Sequence, residues 1–381
     1  MTNKIEVHGF CDERFTPVKE AFAKNFEAGL EVGASVAVTL NGEFVVDLWG
    51  GYADGAQKRP WEQDTIVNVY STTKIMTALC VLMLVDRDQL NLDAPVVNYW
   101  PEFAQAGKEN IPVRYLLSHQ ACLPGFTKPL PVEALYDWDR IVNILAAQKP
   151  WWPPGTKSCY HAITFGYLLG ELVRRITGKT LGTFFREEIG NPLKADFHIG
   201  LAEEHDFRVA ELVSPPITWW KKLLLKIFMR RIVKVLYNPP VHPKHTYDRA
   251  WRAAEIPAAN GHGNARSVAR IASVLARGGE LDNIRLLSLS TIEKAIEEQF
   301  NGRDLLLGPI RWGLGFGLKD DKIPFGSRSF YWGGAGGSSV VMDPDTKMSF
   351  AYVMNKMNFS LTKDPRVNRI AEALISSLKE I

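Results

Sequence analysis

Ser71-Thr72-Thr73-Lys74 sets a hydroxyl and an amine within one helical turn at the head of a long apolar run. At that spacing the two side chains share a helix face. A helix N-terminus adds free N–H groups and the positive end of the helix dipole. Such a setting favours developing negative charge and helps keep the amine neutral enough to serve as a base. The chemistry implied is acyl transfer through serine. The spacing alone does not select this site, because Ser360-Leu361-Thr362-Lys363 and Ser376-Ser377-Leu378-Lys379 repeat it. For any of the copies the default is an N-cap serine beside an exposed lysine.

Two further segments separate the first copy from the others. Tyr160-His161-Ala162 follows Trp151-Trp152-Pro153-Pro154-Gly155-Thr156. A tyrosine whose pKa is lowered by a neighbouring ammonium can shuttle a proton between nucleophile and leaving group. Taken alone, it is equally a buried tyrosine packing ahead of a helix. Tyr331-Trp332-Gly333-Gly334-Ala335-Gly336-Gly337-Ser338 leads into a strand. Its glycines let backbone N–H groups come close to a ligand, as an oxyanion hole requires, although a plain glycine turn has the same composition.

The elements that must hold these residues are legible at both ends of the chain. Residues 15–30 have helical periodicity, and 35–40 and 43–48 are strand-like around Asn41-Gly42, a tight-hairpin signal. Near the C-terminus, 339–342 and 348–354 flank Asp343-Pro344-Asp345-Thr346, and a helix is expected over about 364–379. The expected fold is α/β of the α+β type: an antiparallel sheet from N- and C-terminal strands, flanked by helices. Residues 1–85 with 286–381 form that part, and 86–285 are a mainly helical insertion. Within the insertion, 162–176 and 267–276 are helices ended by glycine stops.

Composition excludes several functions. The chain has 381 residues, 46% hydrophobic, with a net charge of +3, so no basic field argues for nucleic acid. Cys11, Cys80, Cys122 and Cys159 lack metal-site spacing and read as free thiols. No His-Glu-x-x-His occurs, so neither metal nor cofactor is expected. The N-terminal residues lack the apolar core of a secretory signal, and the expected location is cytoplasmic. Trp219–Leu236 carries a stripe of Lys222, Lys226, Arg230 and Lys234 without an acid. It is expected to be a lid within 214–240, the alternative being an interfacial membrane contact; it is too charged to span a bilayer.

Together the three motifs resemble the penicillin-recognising serine hydrolases, in particular the class C β-lactamase-like branch and its family VIII carboxylesterases. The resemblance runs from about 15 to 378. It includes Leu116–Gly125, Pro154-Gly155-Thr156, Gly166–Gly170, Asn191-Pro192-Leu193 and Gly261–Ser267. It implies Ser71 as nucleophile, Lys74 and Tyr160 as the proton-transfer pair, and an oxyanion hole from the N–H groups of Ser71 and Ala335. Two departures stand out. Ala162 replaces the asparagine of Tyr-x-Asn, and Trp332-Gly333-Gly334 replaces Lys- or His-Thr-Gly. Loss of a charge-assisted contact, ~1.5–3 kcal/mol, weakens binding of carboxylate-bearing substrates by roughly one to two orders of magnitude. Both changes point to neutral esters.

The expected function is therefore a serine carboxylesterase acting on short-chain acyl esters. The alternatives are promiscuous β-lactam or amide hydrolysis at the same site, or a silent scaffold. Trp332, Gly333, Gly334, Trp152 and His161 are candidate substrate contacts, with Trp151, Trp219 and Trp220 as further pocket walls. His119 is assigned a structural role, and which of Lys74 and Tyr160 is the base stays open.

Overall fold

The computed structural model describes residues 5–214, 238–320, 325–358 and 364–380. The basic segment 219–236, with Trp219 and Trp220, and the serine–lysine copy at 360–363 lie outside the described residues. The Asn41-Gly42 turn forms as expected, with φ of 53° and 95°. It joins β2 (Gly33–Leu40) to β3 (Glu43–Gly51). β1 (Val7–Cys11) adds to β3 along the edge. From the C-terminal part come β4 (Phe300–Asp304), β5 (Gly308–Trp312), β6 (Gly317–Leu318), β7 (Phe330–Gly333), β8 (Ser339–Asp343) and β9 (Met348–Met354).

Among the described residues these strands make one nine-stranded sheet, in the order β1-β3-β2-β9-β8-β7-β6-β5-β4. Every pairing is antiparallel. The two ends of the chain meet at β2 and β9, where Val36 faces Tyr352 and Val38 faces Phe350. All of β9 is buried, so both faces of the sheet are covered there.

Helices cover those faces. α1 (Thr16–Glu27) packs on α5 (Pro365–Lys379). α4 (Ala265–Ala276) lies against β2, β8 and β9, where Ser349 Oγ donates to Ala269 O at 2.8 Å. Tyr352, on the opposite face by strand alternation, reaches Glu31 and the α5 side. Residues 86–285 were expected in the helical insertion, and α4 departs from that expectation. Its apolar face fits the sheet, and Asn264 Oδ1 caps it by accepting from Ser267 N at 2.9 Å.

In the helical part, α2 (Thr73–Asp86) packs against α3 (Thr164–Thr177). α2 is buried on every side from Thr73 to Leu84, which explains its unbroken apolar sequence. α3 ends at Gly178 in the left-handed region, φ 71°, the glycine stop expected from Thr177-Gly178. One buried cluster runs from Phe15 through α2 and α3 to Leu374, so sheet and helices share a core. The cysteines are free thiols. Among the described residues no metal-binding cluster forms, and no helix is long and apolar enough to cross a membrane.

Candidate active site

The short strands Val67–Asn68, Phe197–His198 and His262–Gly263 pair beneath the turn that carries Ser71. Tyr70 takes φ 44°, a left-handed conformation that a bulky residue rarely adopts. Neighbours hold it there. Val69 N donates to Gly261 O at 2.9 Å, Thr73 Oγ1 donates to Tyr70 O, and Gly261 N donates to Thr73 Oγ1 at 2.9 Å. A single 3-10 turn, Tyr70–Thr72, then runs into α2 and leaves Ser71 half-buried at its head.

Lys74 is 1% exposed. Its Nζ sits 2.7 Å from Ala162 O, 2.9 Å from Ala258 O and 3.3 Å from Ser71 Oγ. No carboxylate pairs with it among the described residues, and burial drives its pKa well below the usual lysine value. In the neutral form that burial favours, the amine can keep two N–H groups on the two carbonyls and turn its lone pair toward the serine hydroxyl. Neither carbonyl was anticipated, because a backbone acceptor leaves no mark on side-chain identity. Ala162, noted only as the missing asparagine, acts here through its main chain.

Tyr160 is also buried. Its ring stacks on Trp312 at 8° and 6.3 Å between centroids, and leans on Trp332 at 5.3 Å. Lys74 Nζ lies over the ring face, 4.8 Å from its centroid, and makes no hydrogen bond to the phenol oxygen. Burial pushes the Tyr160 pKa up, opposed by weaker contributions from the Ser71 hydroxyl and the Trp332 indole. The expected lowering by Lys74 is thus corrected, since desolvation of both groups outweighs any ammonium field. The Tyr160 hydroxyl and Trp332 Nε1 are close enough to influence each other, yet neither has a well-formed hydrogen-bond partner. Two buried donors are left open beside Ser71.

The segment bearing Tyr160 is fixed from behind. Ser158 Oγ donates to Asp304 Oδ2 at 2.5 Å and accepts from Trp312 Nε1 at 3.0 Å. His161 does not serve as a substrate contact. Its Nε2 accepts from Leu123 N at 3.1 Å, its Nδ1 donates to Cys159 O at 2.8 Å, and no surface is left. Burial lowers its pKa to about 3, which keeps the ring neutral. His119, at φ 60°, accepts from His161 N through Nδ1 at 3.1 Å, the structural role expected of it. Trp152 stands edge-on to Trp151 at 6.2 Å, with no ring contact to the Tyr160–Trp312–Trp332 group. Ser376 and Lys379 lie exposed on α5, where their spacing is ordinary helix surface.

The glycine loop is tied directly to the Ser71 turn. Ser338 Oγ lies 2.9 Å from Val69 O and 3.0 Å from Thr72 Oγ1. A Cβ on Gly334 would fall 2.0 Å from Val69 O, so only glycine permits that approach. Ala335 is exposed at the tip, and its N–H has no partner among the described residues. Ser71, Lys74, Tyr160, Trp332 and the loop therefore converge.

The chain is similar in sequence and fold to several known proteins. The β-lactamase family model matches residues 22–373. The chain is 37% identical over 365 residues to the esterase/β-lactamase LipL of Mycobacterium tuberculosis, spanning 92% of this chain and 83% of that protein. A family VIII carboxylesterase structure is 40% identical with a TM-score of 0.92, covering 98% of this chain and 100% of that one. A penicillin-binding protein homologue from Caulobacter crescentus, also 40% identical, has a TM-score of 0.90 with coverage of 98% and 100%.

Proposed function

Because this chain belongs to the β-lactamase family and is a serine hydrolase, we propose that it is a carboxylesterase cleaving neutral, short-chain acyl esters through a Ser71 acyl-enzyme. The observation that carries this is the Lys74 amine, buried and held by Ala162 O and Ala258 O with Ser71 Oγ as its third neighbour. Lys74 takes the proton as Ser71 Oγ attacks the ester carbonyl. The tetrahedral oxyanion is met by the N–H groups of Ser71 and Ala335. Tyr160, kept a phenol by burial, passes a proton to the departing alkoxide and regains one from the incoming water, while the Lys74 ammonium returns its proton to Ser71 Oγ as the acid leaves. Water then adds to the acyl-enzyme with the same pair assisting, which releases the acid and restores Ser71.

Trp332 and Trp312 line this centre with apolar rings, 4.8 Å apart between centroids, and Trp332 stands where the resemblance implies a cation. That lining supports neutral esters over anionic substrates. β-Lactam hydrolysis at the same serine is a second reading, favoured by the double name of the Mycobacterium tuberculosis relative. The test is hydrolysis of p-nitrophenyl acetate through dodecanoate and of a chromogenic cephalosporin, by wild type and Ser71→Ala. Short esters should be preferred, and Ser71→Ala should be inactive on all. Undiminished ester hydrolysis by Ser71→Ala would remove the nucleophile, and preference for the cephalosporin would reverse the substrate order.

A further inference from the structure

The glycine loop is held on two sides. On one side Ser338 joins it to the Ser71 turn. On the other a buried guanidinium from α5 grips it. Arg366 is 2% exposed, and its Nη2 donates to Gly336 O at 2.8 Å. Gly336 O also accepts from Asn358 N at 2.8 Å. The remaining Arg366 donors are spent on Lys356 O at 2.6 Å, Glu31 Oε2 at 3.1 Å and the Asp364 carboxylate at 2.5–3.2 Å. The fit to the loop is close: a Cβ on Gly337 would fall 2.5 Å from Arg366 Nη2 and 2.6 Å from Asp364 Oδ2.

We propose that Arg366 is a positioning residue for the oxyanion loop, fixing the Gly336 carbonyl and with it the adjoining backbone that presents the Ala335 N–H to the oxyanion formed at Ser71. This rests on the proposed donor role of Ala335. The Ala335 N–H belongs to the Gly334–Ala335 peptide and the Gly336 carbonyl to the Gly336–Gly337 peptide, so a single peptide unit separates them, and anchoring the Gly336 carbonyl narrows the backbone torsions that can re-aim the Ala335 N–H. A loop of adjacent glycines has little stiffness of its own. Within the loop Gly337 N donates to Gly334 O at 3.1 Å and Gly334 N to Ser338 O at 2.8 Å, bonds that close the turn without engaging the Gly336 carbonyl; Arg366 fixes that carbonyl with a planar group that donates in several fixed directions. Lysine, with one nitrogen, cannot hold Gly336 O, Lys356 O and both carboxylates together.

The test compares wild type, Arg366→Lys, Arg369→Lys and Ser71→Ala on p-nitrophenyl butyrate, and measures inhibition by a boronic acid that adds to serine as a tetrahedral anion. Arg366→Lys should lower kcat by about ten- to a hundredfold, the range expected for a displaced oxyanion donor. KM should stay within about twofold, because ground-state binding is untouched. Boronate affinity should fall by a factor similar to kcat. Arg369→Lys should leave these quantities unchanged, since Arg369 lies on the same helix but bonds Asn25. Wild-type kcat in Arg366→Lys, a loss confined to KM, or a kcat loss with unaltered boronate affinity would each overturn the proposal. Should Arg366→Lys fail to fold, Asp364→Asn serves in its place. Asparagine caps α5 as well as aspartate does but releases the charge that clamps Nη2. It should lower kcat several-fold, and wild-type kcat would refute the role. Activity persisting in Ser71→Ala would sink the acyl-enzyme reading, whereas inactive Ser71→Ala beside fully active Arg366→Lys sinks only the role of Arg366.

Discussion

Neutralising Glu31 should stabilise this protein at neutral and alkaline pH and do little in mild acid. Glu31 is buried against Arg366, with Asp364 on the same guanidinium and the Tyr352 hydroxyl donating to its carboxylate. Burial is the largest influence and raises its pKa from 4.5 to about 7, despite the attraction of Arg366. Arg366 itself is held more firmly charged by the cluster. The two directions agree once the cluster is counted as two carboxylates on one cation, with Asp364 making the closer pair. Between pH 4.5 and about 7 the native state holds a proton that the unfolded chain has lost. Stability from this group is full below 4.5 and falls as pH rises through 7. The gap corresponds to about 3 kcal/mol. Unfolding entropy of about 2 cal/mol/K per residue over 381 residues converts this to a Tm change of about 4 °C. Glu31→Gln mimics the protonated carboxyl. Melting followed by circular dichroism from pH 4.5 to 8.5 should show wild type and Glu31→Gln together at the acid end. The variant should then melt progressively higher, up to that margin, by pH 8. A difference independent of pH, or a variant less stable than wild type at pH 8, would refute the account.

Lys74, with its pKa lowered by burial, must be neutral to accept the Ser71 proton. The kcat/KM profile should therefore fall on the acid side as Lys74 takes up a proton and stay level into the alkaline range, where Tyr160 remains a phenol; an alkaline decline beginning near neutrality would contradict the assignment. Tyr160→Phe should cut kcat for alkyl esters by about a hundredfold or more, and much less for p-nitrophenyl esters, whose leaving group needs no proton. Equal losses on both ester classes, measured by titrating released acid, would remove Tyr160 from that step.

Much of the sheet was legible because its signals are local. Asn41-Gly42 fixes one hairpin, Asp343–Thr346 another, and Gly178 closes α3 where the sequence places the stop. β1 escaped notice because it is an exposed edge with only its end residues half-buried, so no alternation marks it. Ser71, Lys74 and Tyr160 were legible as side chains that chemistry requires. What holds them was not. Tyr70 takes its unusual φ only because tertiary bonds enforce it, and the carbonyls on Lys74 could belong to any residue type. His161 was misassigned because adjacency to Tyr160 said nothing about direction, and its ring points into the scaffold. Arg366 and its partners are scattered at 31, 352, 364 and 366, without a pattern in sequence.

The division of labour at the centre follows from a single physical cause acting on two different groups. Desolvation penalises charge, so it pushes Lys74 down and Tyr160 up. Each is thereby held neutral, one with a free lone pair and the other with a proton to give. Had the Lys74 ammonium been hydrogen-bonded to the phenol oxygen, the pair would share a proton and the base would have no single identity. Instead Nζ lies over the ring face and is committed to two carbonyls. That separation lets Lys74 act on Ser71 while Tyr160 serves the leaving group. It also makes the apolar wall of Trp312 and Trp332 part of the proton chemistry, since hydrating it would weaken the desolvation that keeps both groups neutral.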